Sequence, residues 1–294
     1  MKILLTGVTG FLGSHLTRAL VKNNHTVIGL KRRTSDMSRL SDVKEAMSFA
    51  DIEDGLDQLF KNYPDIELIV HAATSYGNQG ESLSKVLIAN IILPLKIMES
   101  ALSRNYCIFI NTDTFFCKAE NCYSYLADYI LSKKLFCQLG SKFAKTHERL
   151  FINIRLEHIF GPGDGSAKFT SSIIKQMLDN TPEIKLTAGE QLRDFVYIDD
   201  VVNAYMKVIN SIESFECGQV KCFEVGSGSV HTVKDFVTTA HRIIGSKSNL
   251  LFGALPYREN EIMYSKANLE ALLELGWRSN VNLETGLRNV ISSM

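Results

Sequence analysis

A tyrosine and a lysine four residues apart, Tyr129 and Lys133, carry the most pointed chemistry in this chain. On a helix that spacing stacks the phenol and the ammonium on one face. A free phenol titrates near ~10, and a cation held beside it favours the phenolate and lowers that value. A phenol tuned in this way passes a proton to or from a sugar or ketone oxygen near neutral pH. Because Y-x-x-x-K arises by chance in most long chains, its company decides its meaning. One partner is a hydroxyl at the end of the preceding strand, and Ile110-Asn111-Thr112-Asp113-Thr114 supplies two.

The other partner is a binding device near the N-terminus. Behind the apolar run Ile3-Leu4-Leu5 stands Thr6-Gly7-Val8-Thr9-Gly10-Phe11-Leu12-Gly13, a G-x-x-G-x-x-G turn that carries Thr9, Phe11 and Leu12 between its glycines. Gly7 allows the tight turn, Gly10 lets backbone N–H groups approach a pyrophosphate, and Gly13 packs helix against strand. The helix expected from Ser14 to Lys22 directs its positive end at the phosphates. A glycine-rich turn is more often only a turn, but the strand before it and the amphipathic helix after it favour a dinucleotide site. The second strand ends at Leu30 and runs into Lys31-Arg32-Arg33. Sites that select NAD place an acid about 20 residues after the glycines, on the ribose 2′-hydroxyl. Consecutive cations there suit a 2′-phosphate, so Arg32 first and Arg33 second point to NADP (NADPH).

These groups need a frame that is rigid and layered. Apolar runs at Lys2–Thr6, Thr26–Leu30, Ile66–His71, Cys107–Asn111 and Phe151–Leu156 alternate with helical patterns, which predicts an α/β doubly wound parallel Rossmann sheet. Gly161-Pro162-Gly163-Asp164-Gly165 is the strongest punctuation. It divides an expected dinucleotide-binding domain, residues 1–160 with a return around 195–228, from a smaller C-terminal substrate-binding domain over 161–294, which ends in helices at Val233–Ile244 and Lys266–Leu275. At 294 residues with 32 cations and 32 anions, the chain offers no bulk attraction to nucleic acid or a membrane surface. It has no run long enough for a membrane span and no signal peptide pattern, which reads as a soluble cytoplasmic protein. The six cysteines form no C-x-x-C pair and the histidines no i, i+4 pair, so free thiols and no metal site are expected.

The glycine turn with Asp51-Ile52, His71-Ala72-Ala73, Asn90, Thr112 and Tyr129/Lys133 resembles the extended short-chain dehydrogenases/reductases. So do Arg155…Phe160-Gly161-Pro162-Gly163, Arg193-Asp194-Phe195-Val196-Tyr197-Ile198-Asp199-Asp200 and Leu275-Gly276-Trp277. The resemblance runs nearly the whole length and is strongest to enzymes of nucleotide-activated sugars. It implies that Asp51 and Ile52 contact the adenine end, that Ala72 and Ala73 line the cofactor, and that Lys133 binds the nicotinamide ribose. It places Arg193 and Arg258 on the sugar nucleotide's diphosphate, and Thr74, Ser75, Thr114 and His158 among the substrate contacts. Thr112 takes the catalytic hydroxyl position, with Thr114 the fallback. Relatives often dimerise through a four-helix contact that includes the Tyr129 helix, so a homodimer is expected.

The departures from the family pattern narrow the reaction. The 4,6-dehydratases carry Thr-Asp-Glu where this chain has Thr112-Asp113-Thr114, so the acid for water elimination is missing. Phe116-Cys117 replaces Tyr-Gly, and His158 stands where relatives often carry asparagine; a core histidine accounts for His158 equally well. The expected function is NADPH-dependent reduction of the 4-keto group of a nucleotide-linked deoxyhexose, with CDP-paratose and CDP-abequose synthases as the type. The rivals are a sugar-nucleotide 4-epimerase with bound NAD, a reductase of other small ketones, and a non-catalytic NADP-sensing module.

Overall fold

The apolar run before the glycine turn forms β1 (Lys2–Thr6), and α1 (Phe11–Lys22) begins three residues before the expected Ser14, with Gly10 as its N-cap. Gly13 therefore lies inside the helix, where close packing on the turn outweighs glycine's poor helix propensity. The structure is a computed structural model that describes residues 1–77, 80–102, 108–118 and 123–294. After α1 come β2 (Thr26–Lys31), β3 (Ser48–Asp51), α2 (Leu56–Asn62), β4 (Leu68–His71), α3 (Leu83–Leu87), α4 (Leu93–Ala101), β5 (Ile108–Thr114), α5 (Ala127–Thr146) and β6 (Leu150–Leu156). The chain continues through β7 (His158–Phe160), α6 (Phe169–Leu178), β8 (Glu183–Lys185), β9 (Leu192–Tyr197), α7 (Ile198–Asn210) and β10 (Val220–Val225). It closes with β11 (Val230–Thr232), α8 (Val233–Ile244), β12 (Asn249–Leu251), α9 (Glu270–Glu274) and α10 (Leu283–Ser292).

Seven strands form one sheet in the order β10-β6-β5-β4-β1-β2-β3, and β1 pairs in parallel with both β2 and β4. The chain thus winds one way from β1 to β2 and the other way to β4, so the glycine turn sits at the switch point, where open α/β sheets bind ligands. The sheet is apolar on both faces. Phe109 of β5 stacks on Phe151 of β6, ring centroids 5.9 Å apart, and Phe136 of α5 packs edge-on to both.

Two compact units emerge. One comprises Met1–Cys117, Leu126–Arg155 and Tyr205–Phe223; the other comprises Lys118–Tyr125, Leu156–Ala204 and Glu224–Met294. The second holds the short sheets β11-β9-β7 and β12-β8. Its expected helix over Lys266–Leu275 is only α9, because side chains claim the backbone before it. The Lys266 carbonyl accepts from Lys118 Nζ at 2.6 Å, the Ala267 N–H donates to Asp194 at 3.2 Å, and the Asn268 N–H donates to Glu224 at 2.8 Å. Cys107, the expected first residue of a strand, and Cys122 lie outside the described residues. Among the described residues, Cys117, Cys137, Cys217 and Cys222 are free thiols, no helix is long and apolar enough to cross a membrane, and no acidic, histidine or cysteine cluster could hold a metal ion.

Candidate active site

Backbone contact shapes the glycine turn. Gly7 adopts φ +69°, and a Cβ there would meet the Ala73 nitrogen at 2.5 Å and the Ala72 carbonyl carbon at 2.7 Å. A Cβ on Gly13 would lie 2.1 Å from the Gly7 oxygen. On Gly10 it would meet only that oxygen, at 3.1 Å. The first turn of α1 contains no acidic residue and its cap makes no side-chain hydrogen bond. Unsatisfied N–H groups at a helix start, with glycine in place of side chains, fit the pyrophosphate of a dinucleotide. Thr6 locks Ala72 and Ala73 beside the turn: its Oγ1 lies 2.8 Å from His71 Nδ1 and accepts from the Ala73 N–H at 3.2 Å. Phe11 and Leu12 are buried at the start of α1, beside Gly10 and Thr9.

The cationic stretch beyond β2 is less uniform than its sequence. Lys31 Nζ binds Asp51 Oδ1 at 2.5 Å, while the Arg33 guanidinium pairs with Asp54 and lies 3.8 Å from Asp51. Asp51, one residue before Ile52, is thus held by cations. Arg32 is exposed, its N–H donating to Ser35 Oγ at 3.1 Å, and its guanidinium enters no ion pair among the described residues.

The groups expected to handle a proton lie at the end of β5 and the start of α5. Lys133 Nζ donates to the Thr112 carbonyl at 2.9 Å. Tyr129, at the first turn of α5, is buried, and the Thr114 hydroxyl stands on the side of its phenol, where it favours the charged form. Thr112 Oγ1 lies instead 2.7 Å from the phenol oxygen of Tyr205, which is wholly buried. Thr112 and Thr114 share one face of β5, so the strand presents both hydroxyls the same way and α5 meets the farther one. The hydroxyl that acts on the Tyr129 phenol is that of Thr114, the fallback to Thr112 in the sequence register.

Electrostatics differ from expectation as well. Burial pushes the Tyr129 phenol well above its usual range and the adjacent Tyr76, ring centroid 4.8 Å away, adds to this, while the Thr114 hydroxyl opposes it. Burial also brings Lys133 down to about 8, against the raising influence of Asp113 and Cys117. The cation does not make the phenol acidic here; desolvation outweighs it and Tyr129 stays protonated at neutral pH.

Two neighbours that the sequence left without a role, Asp113 and Asn90, hold this arrangement. Asp113, almost fully buried, accepts from Asn153 Nδ2 and Arg155 Nε, both at 2.9 Å. Asn90 sits in a π-helical turn, Ile88–Ile92, a form often found at functional sites. Its Oδ1 accepts from the Ser75 N–H at 2.8 Å and from the Thr74 hydroxyl at 3.2 Å. Its Nδ2 donates to the Ser75 carbonyl at 2.8 Å and to Ser132 Oγ at 2.9 Å, and Ser132 in turn donates to the Tyr129 carbonyl. Asn90 thus ties Thr74 and Ser75 to the helix that carries Tyr129 and Lys133. A lone asparagine gives no sign of this in sequence, since its meaning lies in a local helix distortion.

The second unit joins Arg193 and Arg258 through Glu261 and Tyr123, and His158 feels the Arg193 charge. Arg193, 4% exposed, donates through Nη2 to Glu261 at 2.9 Å. Glu261 also accepts from the Tyr123 hydroxyl at 3.3 Å, and Arg258 Nη1 donates to the same Tyr123 oxygen at 3.0 Å while lying 3.6 Å above the Tyr125 ring. His158, edge-on to Phe195, is held neutral: burial pushes its pKa well below the usual value and the Arg193 charge adds to this.

Residues 3–226 match the family described as the NAD dependent epimerase/dehydratase family. The chain belongs to that family. Within it, the chain is 36% identical to CDP-abequose synthase of Salmonella typhimurium over 99% of its own length and 98% of the relative's. It is 30% identical to CDP-abequose synthase of Yersinia pseudotuberculosis over 90% and 91%. A UDP-glucuronic acid 4-epimerase from Bacillus cereus, solved with UDP-glucuronic acid and NAD, superposes with a TM-score of 0.84 at 23% identity, covering 100% of this chain and 98% of that one. Its likeness carries the extended epimerase/dehydratase fold across the whole chain. This member of the family is an oxidoreductase of the extended short-chain type.

Proposed function

We propose that the enzyme reduces the 4-keto group of a CDP-linked deoxyhexose with NADPH, as the last step toward a 3,6-dideoxyhexose such as abequose or paratose. The observation that carries this reading is the full-length likeness to CDP-abequose synthases. Thr114 in place of a dehydratase glutamate supports it, because water elimination lacks its acid. The glycine turn and Arg32 would hold the dinucleotide, the exposed guanidinium of Arg32 suiting a 2′-phosphate, with Ala72, Ala73, Asp51, Ile52 and Lys133 along its length. When bound, that cofactor supplies the hydride. Tyr129 gives its proton to the ketone oxygen, and its protonated state is the one that reduction requires. Thr114 donates a hydrogen bond where negative charge grows on that oxygen, and Lys133 restores charge balance near the phenol. Arg193 and Arg258 hold the diphosphate, with Thr74, Ser75 and His158 among the sugar's neighbours.

The test is NADPH and NADH oxidation against CDP-, dTDP-, GDP- and UDP-linked 4-keto sugars. Stoichiometric NADPH consumption with a CDP sugar is expected. Turnover with tightly retained NAD and no added NADPH would instead identify the 4-epimerase reading that the solved neighbour represents. We also propose a homodimer. Leu131, Leu135 and Leu139 form an exposed stripe at i, i+4 and i+8 on α5, and Ile88 and Ile92 are exposed on the helical segment packed beside it. Sedimentation should show a dimer that Leu135→Glu converts to monomer.

A further inference from the structure

The two arginines assigned to the diphosphate are already joined to each other. Arg193 donates to Glu261, Glu261 accepts from Tyr123, and Arg258 donates to Tyr123, so four side chains form one hydrogen-bonded chain. Its ends differ. The Arg193 side chain is 4% exposed and that of Glu261 16% exposed, while Arg258 is exposed and braced on the Tyr125 ring.

A buried guanidinium cannot be left without a counter-charge, because its desolvation would be uncompensated. In the free protein Glu261 is that counter-charge, and its loss would leave Arg193 seeking another anion. A diphosphate carries the same kind of oxygens in greater number, and arginine binds either in the same forked geometry. The resident carboxylate and an incoming diphosphate therefore compete for one donor.

From this geometry we propose that Glu261 is a resident surrogate for the diphosphate: it occupies the Arg193 fork in the free enzyme, and the nucleotide sugar must displace it to bind. The inference rests on the assignment of Arg193 and Arg258 to the diphosphate. Displacement sets specificity. A ligand with two phosphates offers Arg193 more than Glu261 does, and one with a single phosphate offers little advantage. Tyr123 serves as the latch, since it bonds Glu261 and takes a hydrogen bond from Arg258 at once.

Calorimetric titration of CDP and CMP into wild type, Glu261→Gln and Tyr123→Phe tests this. Glu261→Gln is isosteric and removes only the competing charge. CDP should bind it at least fivefold more tightly than wild type, with a smaller gain for CMP. Tyr123→Phe should tighten CDP in the same direction by a smaller factor, and it decides the matter if Glu261→Gln does not fold. A Kd for CDP that is unchanged or weaker in the variant that folds overturns the proposal, because a carboxylate that only props up Arg193 cannot yield a gain in affinity. If Arg258→Ala binds CDP as well as wild type, the diphosphate assignment itself fails, and this inference with it. Intact wild-type binding with no gain in Glu261→Gln overturns the inference alone.

Discussion

A phenol sealed from water beside a hydroxyl is a proton donor in waiting, and its neighbours decide when it acts. At Tyr129 desolvation keeps the proton on, while Lys133, whose ammonium rests on the Thr112 carbonyl, is poised to lose its own near pH 8. A reaction that needs the Lys133 charge should therefore lose turnover as pH rises through about 8, since deprotonation removes the ammonium that rests on the Thr112 carbonyl. The pH profile of NADPH-dependent kcat/KM checks this, and a flat profile from pH 7 to 9.5 would contradict it. The two threonines separate in the same assay. Thr114→Val removes the hydroxyl that acts on Tyr129 and should lower kcat by about 10²-fold, the scale of one lost donor to a developing oxyanion. Thr112→Val leaves the Thr114 hydroxyl in place, strands the buried Tyr205 hydroxyl, and should cost about 1–3 kcal/mol of stability with a far smaller change in kcat. The reverse pattern would return the role to Thr112. The types and spacing of these residues were plain in the sequence, but the choice between the hydroxyls was not. It depends on Tyr205, which lies 93 positions away from Thr112.

Elements were legible where local chemistry alone forms them. β1, the glycine turn and α1 follow from an apolar run, three glycines and an amphipathic helix, and α8 from a capping box in which Thr232 and Asp235 exchange hydrogen bonds. β3 is a half-buried edge strand, Ser48–Asp51, with no apolar run to betray it. The π-helical turn at Asn90 depends on partners across the fold, and the shortened α9 on side chains from three other segments. The glycines within the turn carry distinct duties that substitution can separate. Gly13→Ala drives a methyl into the Gly7 oxygen at 2.1 Å and the Val8 Cα at 2.9 Å, backbone atoms with no rotamer to yield. The helix must shift off the strand, which should destabilise the protein by about 1–3 kcal/mol and lower its Tm by several degrees. Gly10→Ala meets only the Gly7 oxygen, at 3.1 Å, and its other side is open. Its Tm should stay close to wild type while NADPH binding weakens, because the added methyl lies where the pyrophosphate would approach. Thermal denaturation and fluorescence titration of NADPH on both variants check the contrast; equal loss of Tm would refute the division of duties.

At the scale of the whole molecule, acid sensitivity should trace to a group that the chemistry does not use. His71 closes β4, its Nδ1 lies against the Thr6 hydroxyl, and its ring is packed between Phe109 and Phe136, 6.0 and 5.9 Å away. It is wholly inaccessible to water, and its Nε2 finds no hydrogen-bond partner among the described residues. Burial holds its pKa well below 6.5, with the Lys133 charge adding to the effect. In the unfolded chain the same ring takes up a proton near 6.5, so below that pH the unfolded state binds more protons than the native one. The native state's advantage is complete above about pH 6.5. It then erodes by about 1.4 kcal/mol for each unit of acidification, until the depressed native value is reached. Urea unfolding at pH 7.5, 6.0 and 5.0 should show this slope in wild type. His71→Leu keeps an apolar side chain among the phenylalanines and leaves Thr6 Oγ1 bonded to the Ala73 N–H. Its stability at pH 7.5 should fall modestly, and its loss between pH 6.0 and 5.0 should be smaller than that of wild type by about 1.4 kcal/mol. An undiminished acid slope in the variant would assign the sensitivity to other groups, the buried neutral His158 of the second unit first among them.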